Sequence, residues 1–356
     1  MRRAWVAVLV TLSLAACIGE EPSSNDLAAA EPDNPDAIAP GELHPAATCP
    51  ESSNPDQPGP AGQARPAKEA GPMAFDRQSG RIVLLEDQPE PRTWTFDVCT
   101  NTWERMDPPV EPPTGGRKLV YDEDSDLTVA LGGIASGWAY DVETDTWSER
   151  GALVSIDDVQ AAYDPMAGLV LVRNGWTGSM HSFDVETGRW EEVPQGDLVP
   201  PSTDGPMHGQ VMAYDPTIER LVLFVEGHRG SPTTWLFDPR AGVWTETEAK
   251  TPTIEFVWGD LVNGSEIVFD EAASRVIVIS GGERHSFDGS TLRWNTEPIG
   301  MHRRIGVRLV YDAVNERLVL HGGDTWKGAR WQELRSVMGF EPFAGGWIEL
   351  VPPIES

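Results

Sequence analysis

Basic residues are scarce in this chain: 27 Lys and Arg stand against 56 Asp and Glu in 356 residues, a formal net charge of −29. Nucleic-acid binding needs a basic footprint that neutralises phosphates, and past the first residues the sequence offers no basic cluster larger than a pair, such as Arg303 and Arg304, so no nucleic-acid partner is expected. The same charge argues against electrostatic docking on anionic lipid. Histidine is also sparse. The seven histidines (His44, His181, His208, His228, His285, His302, His321) contain no H-x-H or H-E-x-x-H spacing, so no metal site is expected. The motifs G-x-S-x-G, G-x-G-x-x-G and the P-loop are absent as well, which removes the nucleophile-elbow, dinucleotide and nucleotide readings and implies no cofactor. Long apolar runs are missing: the one near the start, residues 4–12, falls well short of the roughly 20 residues of a transmembrane helix.

What the start does contain is two arginines, that apolar run, and small residues ending in a cysteine, MRRAWVAVLVTLSLAAC. Residues 1–17 therefore read as a cleaved leader. Leu14-Ala15-Ala16-Cys17 resembles the bacterial lipobox, which implies that Cys17 carries lipid. Each buried lipid CH₂ contributes about 0.8 kcal/mol, so acyl chains on Cys17 would anchor the chain to a membrane without spanning it. The expected location is the cell envelope; Ile18, where inner-membrane lipoproteins often carry Asp, favours the outer membrane if the cell is Gram-negative. Residues 18–72 are rich in Pro, Ala, Asp, Glu, Ser and Gly with no apolar periodicity, and are expected to form a largely disordered tether. Two further cysteines, Cys49 and Cys99, would lie in a compartment where disulfides persist, and are expected to pair. Two free thiols are the alternative.

The chain repeats six times between residues 73 and 351, leaving a short tail at 352–356. The first half of each unit ends in an aromatic and an aspartate: Phe75-Asp76, Tyr121-Asp122, Tyr163-Asp164, Tyr214-Asp215, Phe269-Asp270 and Tyr311-Asp312. A polar turn and a run such as RIVLL or RLVLF follow. The second half is aromatic, Asp, turn and Trp: FDVCTNTW to Trp103, YDVETDTW to Trp147, FDVETGRW to Trp190, FDPRAGVW to Trp244, FDGSTLRW to Trp294, and a degenerate FEPFAGGW to Trp347. This pattern resembles the kelch repeat. Short β-branched runs between tight turns are strands, and two hairpins per unit make a four-stranded antiparallel blade. The expected fold is all-β, a six-bladed kelch-type propeller. How the ring closes is open between packing of the first blade on the last and an edge strand added from near Cys49.

With strands a to d counted from the axis, the a–b and c–d turns share one face, and their uniform Asp residues read as scaffold. The b–c and d–a loops share the other face and vary from blade to blade, as loops at a binding surface do. Candidate ligand-binding residues there are Arg173, Trp176, His228, Arg229, Trp326 and Arg330, with Glu226, Lys327, Asp157, Asp158, His208, Trp258, Asp260, His302, Arg303 and Arg304 beside them. Trp near Arg or His can hold a sugar, a peptide or a carboxylate. Galactose-oxidase-like kelch enzymes need a tyrosine–cysteine crosslink and a copper site, for which this chain has no spare cysteine. The leading expectation is a binding or scaffold module for a protein or glycan. The alternative, implied by the kelch resemblance, is a carbohydrate-active enzyme of epimerase or oxidase type with its site in the axial funnel.

Replacing Cys17 by Ser is expected to abolish incorporation of labelled fatty acid and to shift the protein from the membrane to the soluble fraction. Labelling that persists in C17S would remove the anchor.

Overall fold

The computed structural model describes residues 43–66, 71–86, 90–113, 118–132, 136–152, 159–202, 209–225, 231–253, 266–280, 282–301, 304–327, 330–341 and 346–352. Cys17 and the first part of the expected tether lie outside them. Six antiparallel sheets follow one another along the chain as the blades of a β-propeller. Blade 1 holds β1 (Met73–Asp76), β2 (Arg81–Glu86), β3 (Arg92–Asp97) and β4 (Thr102–Arg105). Blade 2 holds β5 (Lys118–Asp122), β6 (Leu127–Leu131), β7 (Ser136–Asp141) and β8 (Thr146–Ala152). Blade 3 holds β9 (Val159–Asp164), β10 (Leu169–Asn174), β11 (Met180–Asp184) and β12 (Arg189–Glu192). Blade 4 holds β13 (Gln210–Asp215), β14 (Arg220–Val225), β15 (Thr233–Asp238) and β16 (Val243–Glu246). Blade 5 holds β17 (Glu266–Asp270), β18 (Arg275–Ser280), β19 (Glu283–Asp288) and β20 (Arg293–Pro298). Blade 6 holds β21 (Ile305–Asp312), β22 (Arg317–Lys327), β23 (Arg330–Glu333), β24 (Val337–Glu341) and β25 (Gly346–Val351).

Blade 6 departs from the four-stranded plan. Gly322 and Gly323 take φ of 71° and 86°, a region closed to most side chains, and beyond them β22 continues to pair with the short β23 as a projecting hairpin.

The turns repeat one geometry. In each described a–b or c–d turn the leading Asp carboxylate accepts backbone N–H groups two or three residues on, as Asp122 does from Asp124 and Ser125 and Asp141 from Glu143 and Thr144. The residue four after each Asp, among them Gly80, Asn101, Asp126, Gly168, Gly242 and Leu292, has φ between 50° and 69°. The Asp thus stands in for missing backbone partners while the left-handed residue turns the chain into the next strand. Because every turn has the same length, every strand pair starts in the same register. The aromatic before the second Asp therefore falls opposite the Trp in all six blades: Phe96 and Trp103, Tyr140 and Trp147, Phe183 and Trp190, Phe237 and Trp244, Phe287 and Trp294, Phe340 and Trp347. Their ring centroids are 4.2–5.2 Å apart, a range in which such pairs add about 0.5–1.5 kcal/mol beyond burial.

There is no single core. The buried side chains form six clusters, each shared by two adjacent blades. Along β2, Ile82 and Leu84 join the cluster with blade 6 while Val83 and Leu85 join the cluster with blade 2. Strand alternation sends successive side chains to opposite faces, and both faces are covered; this is why these runs are apolar throughout instead of alternating. Some of the indoles reach across the same joints: Trp147 Nε1 donates to Thr93 Oγ1 of blade 1 at 2.7 Å, and Trp294 Nε1 to Thr234 Oγ1 of blade 4 at 2.9 Å.

Closure of the ring follows the first of the two expected routes, packing of blade 1 on blade 6, and no edge strand is added from near Cys49. Blade 1 packs on blade 6 through Ile82, Leu84, Phe96, Val310, Val319 and Leu350, and Trp103 lies against His321. Over that seam runs the segment 43–66, which contains no strand. It was expected to be tether; instead it is part of the folded body. Its backbone and side chains supply the polar partners that a seam between two blades lacks. Gly59 N donates to Leu350 O, Arg65 to Arg335 O and Pro352 O, and Gln63 bridges Asn101 O and Trp103 N. Cys49 is disulfide-bonded to Cys99 in the c–d turn of blade 1, with Cα atoms 5.3 Å apart. At the centre sits Arg317 of blade 6, 0–2% exposed. Its guanidinium bonds Asp312 at 3.1 Å, Pro55 O at 3.0 Å in the strap, and Val98 O and Asn101 Oδ1 of blade 1 at 3.3 and 3.4 Å.

Arg317→Met is expected to lower stability by about 3–5 kcal/mol, because it takes the counter-charge from the buried Asp312 and the donor from Asn101 Oδ1. Arg189→Ala, whose partner Glu191 is exposed, is expected to cost about 0–1 kcal/mol. Urea unfolding of the two variants side by side checks this; equal midpoints would refute the seam's dependence on Arg317.

Candidate functional site: the loop-rich face and the axial channel

On the b–c and d–a face, blade 3 presents the clearest surface feature. Asn174 Oδ1 accepts the N–H groups of Trp176 and Thr177, and Asn174 O accepts Gly178 N, folding residues 174–178 into a tight turn after β10. That turn lifts Trp176 out of the blade, where it is 46% exposed. The connection from blade 3 to blade 4 passes beside it, through Ser202 against Gly178, and carries the exposed Leu198 and Val199.

Arg173, expected among the ligand-facing residues, is instead fully buried. Its guanidinium donates to the carbonyls of Asn174, Pro200 and Pro201 and lies 5.9 Å from the centre of the Trp244 ring of blade 4. It is a strut between blades 3 and 4, placed there by strand alternation one residue before the turn begins. Arg304 is half-buried, donating to Gly322 O and Ser336 Oγ at 3.2 and 3.0 Å; burial, only partly offset by the charge of Glu349, pulls its pKa down to about 10. Trp326, Lys327 and Arg330 belong to the β22–β23 hairpin by their backbone, with Lys327 opposite Arg330, and their side chains lie outside the described residues. Glu226, His228, Arg229, Asp157, Asp158, His208, Trp258, Asp260, His302 and Arg303 also lie outside them. Among the described residues no three His, Cys, Asp or Glu side chains gather as a metal site would require.

The axis holds groups that sequence reading did not single out. Lys118 at the start of β5 and Glu266 at the start of β17 belong to blades 2 and 5, opposite each other in a ring of six. Yet Lys118 Nζ is 2.6 Å from Glu266 Oε2, so the pair spans the channel. Arg308 of blade 6 takes the other carboxylate oxygen at 3.1 Å and donates through Nε to Gly71 O at 3.0 Å. Burial alone would raise the Glu266 pKa; the two cations outweigh it and hold it below the usual range.

At the other end, on the turn face, the six aromatics that close the a strands surround a cavity of about 190 Å³: Phe75, Tyr121, Tyr163, Tyr214, Phe269 and Tyr311. Arg77, Glu123, Pro165, Pro216 and Glu271 complete its wall together with Leu43. The tyrosines also tie neighbouring turns, since Tyr121 OH accepts Gln78 N of blade 1 at 3.4 Å and Tyr311 OH accepts Ala272 N of blade 5 at 3.1 Å. Burial and nearby carboxylates push all their hydroxyl pKa values up, so they stay protonated. This face was expected to be scaffold alone; the turns are indeed scaffold, and at the centre they also frame a cavity. The signal was present in the repeat: one aromatic per unit at the inner strand's end must converge on the axis once six units close.

No protein-family model matches the chain, and no curated protein matches it. The fold itself recurs in 1134 solved chains, so a likeness to any one of them carries no activity with it. One is a structural-genomics protein of unknown function from Bacteroides thetaiotaomicron, 12% identical over 77% of this chain and 72% of that one, with a TM-score of 0.54. At that identity the likeness shows the propeller fold and nothing finer.

The a–b turn aspartates give the ring a pH dependence. Burial, only partly offset by turn N–H groups, pushes Asp76 and Asp122 up to about 6, and Asp164, Asp215, Asp270 and Asp312 upward as well. Unfolded, these groups titrate near 3.9. Between about pH 4 and 6 the folded state thus binds more protons than the unfolded, so stability falls as pH rises through that window. The partly buried Asp288, held at about 2 by the Ser290 hydroxyl, acts with the opposite sign below it. Burial lowers the pKa of His181, His285 and His321, which adds a slope of the opposite sign in the same window, so the check is differential: going from pH 5 to pH 7 the urea midpoint is expected to shift more in favour of high pH in Asp122→Asn than in the parent, and identical shifts in the two proteins contradict the assignment.

Proposed function

We propose that this protein is a binding module of the kelch type, held at the cell envelope by lipid on Cys17, that recognises a protein or glycan through its b–c and d–a face. The observation that carries the reading is Trp176, an indole raised from that face by the turn at Asn174 and 46% exposed, on a blade whose outgoing connection carries two more exposed apolar residues, Leu198 and Val199. An exposed indole offers a flat, stiff surface on which a sugar ring or an apolar side chain gains contact area at little entropic cost. The leader pattern supports the envelope location, and the strap over the seam supports a rigid body able to stand at the end of a tether. The axial ion cluster favours the alternative, a carbohydrate-active enzyme, but there both oxygens of Glu266 already have cationic partners.

A photo-crosslinking amino acid at position 176 in living cells is expected to yield a discrete adduct, of protein or of glycan. The same probe at Leu292, exposed in a c–d turn of the opposite face, is expected to yield none. Equal labelling at both positions, or none at 176, would overturn the assignment of the face.

A further inference from the structure

The axial mouth on the turn face already has an occupant. Leu43 forms part of the cavity wall beside the ring of tyrosines and phenylalanines. His44, next in the chain, is held by both of its backbone polar groups: its N–H donates to Glu123 Oε2 at 2.8 Å, and its carbonyl accepts from Arg77 Nε. The imidazole Nε2 lies 3.4 Å from Asp124 Oδ1. Arg77 is aimed by a bidentate pair with Glu271 at 2.6 and 3.1 Å, which fixes its fork and leaves Nε for the carbonyl.

Glu123 and Arg77 thus come from the a–b turns of adjacent blades and bracket a single peptide residue, one as acceptor and one as donor. The equivalent place holds Pro165 in blade 3, Pro216 in blade 4 and Ala313 in blade 6, which have no such groups, while Glu271 of blade 5 is engaged with Arg77. Nothing in the propeller's own strands needs this clamp. Without the His44 amide, Glu123 would face a site whose burial already pushes its pKa up. The disulfide fixes the chain at Cys49, so Leu43 and His44 can leave the mouth while the strap over the seam stays in place.

We propose that this mouth is a peptide-binding site, selective for an extended segment in which an apolar residue precedes a histidine, and that the chain's own Leu43 and His44 fill it in cis. A partner protein presenting such a segment binds by displacing them. The site lies on the opposite face from Trp176 and does not depend on the function proposed above.

The test uses the full chain carrying Leu43→Gly and His44→Pro, the second removing the N–H that Glu123 accepts, and a synthetic peptide of residues 40–47, followed by calorimetry. One-to-one binding is expected, at least about tenfold tighter than to the intact protein, where the tethered copy competes at high effective concentration. Adding Glu123→Gln to the double variant is expected to weaken binding at least about tenfold, since a charged hydrogen bond is lost. Leu43→Ala alone, a milder change, should give an affinity between the two extremes. No binding to the folded double variant, equal affinity for double variant and intact protein, or no effect of Glu123→Gln would each overturn the proposal.

Discussion

A propeller blade has two apolar faces and can cover neither by itself. Each of the six clusters in this chain is therefore half of one blade and half of the next, and the first and last halves meet only if the circle closes. That last joint differs from the other five because no chain connection runs across it. In this protein the joint is held by Arg317, a buried guanidinium whose partners come from three places: its own blade's Asp312, the c–d turn of blade 1, and the strap at Pro55. A buried charge is tolerable only with a full set of partners, so the arginine makes the strap, the seam and the turn of blade 1 depend on one another.

Much of this architecture was legible in the residues, because it is local. An Asp four residues before a left-handed position sets the turn, equal turns set the register, and equal register brings each Trp opposite its aromatic; all of that is written within eight residues, as in YDVETDTW. What was illegible depends on which residues meet across blades. Arg173 and Trp176 are three positions apart and read alike as polar-loop candidates, yet alternation buries one under Trp244 and the turn exposes the other. The segment 43–66 has the composition of a tether, and it is ordered by groups far away in sequence, Leu350, Pro352 and Asn101 among them. Lys118 and Glu266 look like ordinary strand-end charges until the ring brings them within 2.6 Å.

The channel is closed in two different ways. On the loop-rich face a salt bridge crosses the diameter; on the turn face a short stretch of the chain sits over an aromatic ring. The first is built from side chains of rigid strands, the second from residues upstream of the propeller that hold on by two backbone hydrogen bonds and a pair of side chains. A ligand meeting the first end must compete with paired charges in a buried setting, whereas at the second it meets a peptide that it can replace by a peptide.

The order in which the chain is made gives the strap a further consequence. Cys49 and Cys99 both precede the end of the first blade, so their bond can form while five blades have yet to emerge. From then on the clasp is moored to blade 1, which keeps Pro55 and Arg65 close to the edge where Arg317 and Pro352 arrive. The half of the joint synthesised first is thus fixed early, and the polypeptide that comes last finds a prepared edge to dock on instead of a loose one.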